Sequence, residues 1–214
     1  QLNRTKAFNN FAIQGLYPPG SVFKVVAYWL ALNEGIFPET ALNAQDYIDC
    51  EGSLSFGFED GSKQVYQDWK PDGHGKVNLS QAIKQSCNVY FWDIALKIWR
   101  TFGNTDSEAL LQEYSKQLGF SSLSNIDLPF EKEGVVPDRE LFEEWTISRP
   151  ELVRPEGWLG GDLMNLIIGQ GAITTTPVQV SNAYRTLLTG EKSAPFVSIE
   201  SSDNSIENIN ISDE

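Results

Sequence analysis

No apolar run in the chain is long enough to cross a bilayer, and the N-terminus has no signal-peptide pattern. Positive charge is scarce. Sixteen Lys and Arg face 29 Asp and Glu, for a formal net charge of −13. That balance argues against nucleic acid partners and against adhesion to anionic lipid. There is one histidine, His74, and only two cysteines, Cys50 and Cys87, which allow one disulfide, one shared metal or two free thiols. The body contains no internal repeat and no low-complexity linker. What remains is ordinary globular composition, 41% hydrophobic and 21% charged over 214 residues, enough for one domain with a real core. The opening "QLNRTKAFNN" is abrupt, as an excised piece would be. The closing "ESSDNSIENINISDE" is acidic and polar and is expected to order poorly without a partner strand. The expected division is therefore a body of residues 1–198 and a tail of residues 199–214.

One stretch stands out, "YPPGSVFKVV" at residues 17–26. Pro18 and Pro19 commonly precede a helix but do not sit inside one, and Gly20 lets the chain turn. From Ser21 the sequence is apolar nearly all round, which predicts a buried helix over about 21–34, ended by Gly35 and Pro38. Lys24 is the exception. A charged group in the first turn of a core helix needs a partner or a route to solvent. Residues three apart share a helix face, so Ser21 is the expected partner. A hydroxyl at the positive end of a helix is favoured as a developing alkoxide, and a desolvated lysine can act as a general base near neutral pH. A Ser-x-x-Lys match arises by chance roughly once in a chain of this size. Of the ten lysines here, only Lys24 has a serine three residues before it, and that match falls on a Pro-Pro-Gly break.

Elsewhere the pattern predicts an extended lead-in over residues 1–20. A loop-rich stretch with short strands or hairpins follows over 44–78. A helix capped by Ser80 is expected over about 80–101, and another over 107–119. A short helix over "DRELFEEW", an irregular stretch over 146–162 and a last helix opened by Pro177 complete the reading. The body is thus mostly helical. Within the second long helix pattern, "QSCNVYF" places Ser86 and Asn88 around Cys87. They are either the solvated side of a helix, or a second hydroxyl and an amide placed where the chain departs from regular helix. In the second case the hydroxyl relays protons from the nucleophile and the amide holds the lysine and the substrate.

Taken together, "NRT…YPPGSVFK…GHGKVNLSQAIKQSCNVYF…IDLPFEKEGVVP…GDLMNLIIGQGAITTTPVQVSNAY" resembles the transpeptidase domain of class B penicillin-binding proteins, with the elongation-type branch most similar. The resemblance runs from about residue 3 to residue 197. It implies a mostly α (α+β) fold: the helical part of the penicillin-binding protein and serine β-lactamase-like transpeptidase fold, with an incomplete central sheet. It implies Ser21 as acylated nucleophile, Lys24 as its base, and Ser86 and Asn88 as a Ser-x-Asn motif. "GQG", Gly169 to Gly171, matches a segment that packs near the active site and takes no catalytic role. The family's third motif, Lys-Thr-Gly or Lys-Ser-Gly, is absent. "EKSAPF" is the nearest string, with alanine for glycine and a strand-breaking proline. "SDN" at Ser202 to Asn204 lies in the acidic tail and is a decoy.

Cys50, Asp68, His74 and Cys87 form a candidate tetrahedral zinc set, because glycine-rich loops can bend ligands inward. Elongation-type relatives look similar at these positions. Zinc would be structural, since four protein ligands leave no open position. A disulfide or free thiols at Cys50 and Cys87 stay open at this point.

The function this implies is peptidoglycan D,D-transpeptidation through a serine acyl-enzyme, with no cofactor required for catalysis. The ligands implied are stem peptides ending in D-Ala-D-Ala and β-lactams. The partners implied are cell-elongation or division proteins. The place implied is the extracytoplasmic face of a bacterial membrane, with the anchor outside this chain. The missing third motif leaves this piece slow or inactive by itself. Two other readings compete: a serine β-lactamase or β-lactam sensor, and a non-catalytic helical scaffold. Deacylation rate separates the first two, and penicillin acylation separates both from the third.

Overall fold

The computed structural model describes residues 9–57, 63–198 and 206–209. Its centre is a pair of buried helices, α2 (Lys24–Glu34) and α4 (Asn88–Phe102), which pack on each other and on α7 (Gly160–Ile167). In α2, Val26, Ala27, Leu30 and Ala31 have no exposed surface, and in α4 the same holds for Tyr90, Phe91, Ile94, Ala95 and Ile98. Full burial of a large apolar side chain stabilises by about 1.5–3 kcal/mol, so these rows anchor the body. Gly35 ends α2 in the left-handed conformation, at φ +64°.

Two expectations about this core need correction. The helix expected from residue 21 begins as a 3₁₀ turn over Gly20–Phe23, and only Lys24 opens the α-helix. The single helix expected over 80–101 is two. Asn78, not Ser80, caps α3 (Leu79–Gln85) by accepting from the Gln81 N–H at 3.0 Å. Ser86 then takes φ +55°, Cys87 is extended, and α4 starts at Asn88. The lead-in is not wholly extended either, because α1 covers Phe11–Gln14, capped by Asn10.

The rest follows the sequence closely. The helix expected over 107–119 is a 3₁₀ turn followed by α5 (Leu110–Gln117), which lies against α2 with Trp29 and Tyr114 edge to face at 4.7 Å. Asp138 caps α6 (Arg139–Ser148), which reaches into the stretch expected to be irregular. Thr176 and Gln179 form a capping box on α8 (Pro177–Thr189), with Pro177 in the first turn.

Strands are few and short. β1 (Ile48–Cys50) pairs antiparallel with β4 (Gly75–Val77), which sets Cys50 opposite Gly75. β2 (Ser53–Gly57) pairs with β3 (Lys63–Gln67). β5 (Glu191–Lys192) pairs with β6 (Glu207–Asn208), so the described part of the acidic tail does have a partner strand. Ser202 to Asn204 lie outside the described residues. Among the described residues each sheet has two strands, so the fold is mostly helical α+β with an incomplete sheet.

Candidate functional site

The break between α3 and α4 is where the chemistry gathers. A left-handed residue other than glycine costs about 1–2 kcal/mol, and Ser86 occupies that conformation. Its consequence is geometric. Residues two apart in a continuous helix point to nearly opposite sides, whereas in extended chain they share one side. The turn at Ser86 and the extended Cys87 bring Ser86 and Asn88 to the same point, the tip of Lys24.

Lys24 is fully buried. Its ammonium donates to the Ser86 carbonyl at 2.8 Å, the Ser86 Oγ at 2.9 Å and the Asn88 Oδ1 at 2.5 Å. Those three acceptors match the three N–H donors of the ammonium. The Phe91 ring lies 5.7 Å from Nζ. Burial pulls the Lys24 pKa down to about 8, against the opposing pull of Asp68 and Cys87. Among the described residues Lys24 has no hydrogen bond to Ser21, the partner expected from their spacing. Ser21 is reached through Ser86, whose Oγ lies 2.8 Å from the Ser21 Oγ. Hydroxyl protons rotate, so this chain of three groups can carry a proton either way.

Ser21 itself is exposed. It opens onto a cavity of about 300 Å³ that is also lined by Trp69, Ser86, Asn88, Ile168 and Gln170. The "GQG" segment supports this turn directly, since the Gly169 carbonyl accepts from the Gly20 N–H at 2.8 Å. Gly169 has φ +72°, and a Cβ there would meet the Gly20 oxygen at 2.1 Å, so only glycine fits. Trp69, the neighbour of Asp68, went unread in the sequence. Its N–H donates to the Ser86 carbonyl at 3.1 Å. Its one sequence signal is an aromatic inside a Gly- and Pro-rich loop.

Behind the cavity lies the second group. The ligand atoms of Cys50, Asp68, His74 and Cys87 all lie within 4.8 Å of one another. Cys50 and Cys87 are buried, and the side chains of His74 and Asp68 are 2% and 0% exposed. The two thiols are free and their sulfurs are 2.9 Å apart. Cys87 donates to Cys50, which lowers the Cys50 pKa and raises that of Cys87. His74 Nε2 is 3.2 Å from Asp68 Oδ1. The other oxygen, Oδ2, accepts from the backbone N–H of Asn88 at 2.7 Å and of Val89 at 3.3 Å. Asp68 thus fixes the start of α4, and with it Asn88. Two sulfurs, one imidazole nitrogen and one carboxylate form a donor set of the kind a tetrahedral zinc ion takes.

Comparison with known proteins adds an independent line. The family model described as "Penicillin binding protein transpeptidase domain" matches residues 1–213. The Peptidoglycan D,D-transpeptidase MrdA of Acinetobacter baumannii is 34% identical over 175 residues, which is 81% of this chain and 22% of that protein. The chain thus spans about a quarter or less of the length of the curated relatives it matches. Among solved structures, the Penicillin-Binding Protein PBP2 from Helicobacter pylori aligns with a TM-score of 0.76 at 27% identity, covering 98% of this chain and 35% of that one. The complex between PBP2 and MreC from the same organism gives 0.74 at 26% identity, with 98% and 36% covered.

Proposed function

Because the chain belongs to the penicillin-binding protein transpeptidase family, we propose that it carries the acylation centre of a peptidoglycan D,D-transpeptidase, with Ser21 as nucleophile. The observation that carries this reading is the unbroken line from buried Lys24 through the Ser86 Oγ to the exposed Ser21 Oγ.

The neutral amine of Lys24 takes a proton from the Ser86 hydroxyl as that oxygen takes the proton of Ser21. Ser21 Oγ attacks the carbonyl of the penultimate D-Ala of a stem peptide. The Ser21 backbone N–H, at the start of the helix, helps to hold the oxyanion. When the tetrahedral species collapses, the C–N bond breaks and the proton returns through Ser86 to the departing D-Ala amine. An ester on Ser21 remains. An amine of a neighbouring stem then attacks the ester, gives its proton to the same relay and frees Ser21. With a pKa of about 8, about a tenth of Lys24 is neutral at pH 7, enough to serve a base whose proton affinity suits that pH. Asn88 holds the lysine tip in place through its Oδ1.

β-Lactams acylate the same oxygen, and the opened ring keeps the leaving nitrogen tethered. A hydrolytic role is less well supported, because among the described residues the side chains lining the cavity include no carboxylate to activate water for deacylation. The transpeptidase family needs no cofactor for this chemistry.

Cys50, Asp68, His74 and Cys87 are the residues that would hold a structural zinc ion. Bound there, the ion would supply cross-linking energy, tying β1 and the loop of residues 68–74 to the start of α4. The setting proposed is the extracytoplasmic face of a bacterial membrane, beside proteins of the cell-elongation apparatus, as the PBP2–MreC complex of Helicobacter pylori suggests. No helix among the described residues is long and apolar enough to cross a membrane.

Labelled penicillin followed by intact-mass spectrometry tests the central assignment. Any adduct forms slowly, because this chain lacks the Lys-Thr-Gly motif, and it forms on the unmodified protein and not on Ser21→Ala. An adduct that persists in Ser21→Ala removes Ser21 from the role.

A further inference from the structure

The 3₁₀ turn that carries Ser21 follows Pro19 and has no side-chain cap, so its own sequence does little to hold it. It is braced from outside. Tyr17 and Thr175 exchange backbone hydrogen bonds at 3.0 and 2.9 Å, and the Gly20 N–H donates to the Gly169 carbonyl at 2.8 Å. The third brace is different in kind. The Tyr184 hydroxyl donates to the Val22 carbonyl at 3.0 Å, so this one depends on a single side chain. Tyr184 lies on α8, whose buried face is Gln179, Asn182, Ala183 and Thr186. It stands off that face and is 37% exposed, so core packing does not account for its placement. α8 is a firm support, because Gln179 in its first turn donates to the Ser122 and Glu133 carbonyls. Burial raises the Tyr184 pKa above the ordinary tyrosine value, so the hydroxyl stays a donor through the range in which Lys24 loses its proton.

We propose that Tyr184 is a positioning residue for acylation: its hydroxyl holds the Val22 carbonyl and so aims Ser21 at Ser86. This rests on the reading of Ser21 as the nucleophile. Ser21 sits between the braces at Gly20 and Val22, which fix its backbone from both sides. Its Oγ must stay near the 2.8 Å that separates it from the Ser86 Oγ if a proton is to pass, and its N–H must keep facing the oxyanion. A misplacement of about 1 Å in such a group can cost about a hundredfold in rate. Tyr184 does not line the Ser21 cavity, so it acts through the backbone of the turn and not on the ligand.

The experiment compares the unmodified protein with Tyr184→Phe, which loses only the hydroxyl, and Tyr184→Leu, which loses the ring as well. Two amides report the turn: Gly20, bonded to the Gly169 carbonyl, and Lys24, bonded to the Ser21 carbonyl. In Tyr184→Phe their hydrogen exchange, followed by NMR, quickens about fivefold, the size expected for one lost hydrogen bond. The amides of residues 26–30 in α2 keep their rates. The benzylpenicillin acylation rate at saturation falls about fivefold, while the dissociation constant and the pH midpoint stay the same, since neither the cavity wall nor Lys24 is touched. Tyr184→Leu shows the same two changes together with a lower melting temperature. If it fails to fold, Tyr184→Phe decides alone. An acylation rate at saturation that Tyr184→Phe leaves unchanged would overturn the proposal. So would exchange that rises equally at Gly20, at Lys24 and through α2, because a purely structural tyrosine predicts that result.

The same exchange measurement in Ser21→Ala, with and without the Tyr184→Phe change, separates this inference from the reading beneath it. If the hydroxyl slows exchange at Gly20 and Lys24 there while the unmodified protein is never acylated, the nucleophile assignment fails and Tyr184 stands as the residue that holds the turn. Equal exchange with and without the hydroxyl overturns the role of Tyr184, whether or not Ser21 is acylated.

Discussion

The two clusters on either side of the α3–α4 break are built from neighbouring residues and use burial to opposite ends. On the cavity side, Ser86 and Asn88 close around the ammonium of Lys24. There burial works against a charge, lowering the proton affinity of a lysine until it can serve as a base near neutral pH. On the other side, Cys87 joins Cys50, Asp68 and His74. There burial gathers four donors that can hold a cation in place of protons. One extended residue separates the two environments. Had the helix run straight through, Ser86 and Asn88 would point apart, and the lysine would lose one of its acceptors. A single left-handed turn therefore builds both clusters. Asp68 joins them, with one oxygen on His74 and the other on the first amides of α4.

The cavity side is expected to be the less forgiving of the two. Lys24→Arg keeps the charge but cannot give up its proton, so acylation by penicillin falls below detection while thermal unfolding shows the fold nearly unchanged. Asn88→Ala removes an acceptor without touching the relay and slows acylation about tenfold, the scale of one hydrogen bond to a charged group. If Lys24→Arg acylated at the unmodified rate, the base would lie elsewhere.

The cluster behind is expected to act on stability more than on rate. If the four residues hold zinc, elemental analysis of the purified protein should give about one metal per chain. In that case chelation should lower its melting temperature by about 10 °C, and His74→Ala should lower it by a similar amount. A disulfide between Cys50 and Cys87 gives the opposite pattern, with no metal, no response to chelator and thiols unreactive until reductant is added. If both thiols react without reductant and no metal is released, His74 is an ordinary loop residue. The zinc outcome also sharpens the comparison, because losing the metal should loosen Asn88 through Asp68 and leave Ser21 where it is.

Much of this was legible in the sequence, and the failures have a common cause. Apolar periodicity located α2, α4, α5 and α8, and the glycine and proline signals located their ends, because these are local properties of the chain. The Ser21–Lys24 spacing singles out the pair but points to the wrong contact. Lys24 finds its acceptors at Ser86 and Asn88, more than sixty residues away, and no local pattern reports a pairing at that distance. The break at Ser86 was hidden for a related reason. Residues 80–101 read as one helix, and the strain at Ser86 is supported by tertiary partners, Lys24 and Trp69. The four metal-ligand candidates were recognisable by residue type and by resemblance. Their convergence depends on the β1–β4 pairing that sets Cys50 beside the loop of His74. Trp69 went unread because an exposed tryptophan in a loop has no periodic signature.

The measurement that bears most directly on the relay from Ser21 through Ser86 to Lys24 is the pH dependence of penicillin acylation. As the proposed base, Lys24 would act only when neutral, and its pKa in the folded chain is about 8. The neutral fraction grows about tenfold per pH unit below that value and levels off above it. The second-order acylation rate constant should therefore rise from pH 6, reach half its maximum near pH 8 and flatten beyond. A rate constant unchanged between pH 6 and 9, or one that falls as pH rises through 8, would contradict a buried lysine as the base.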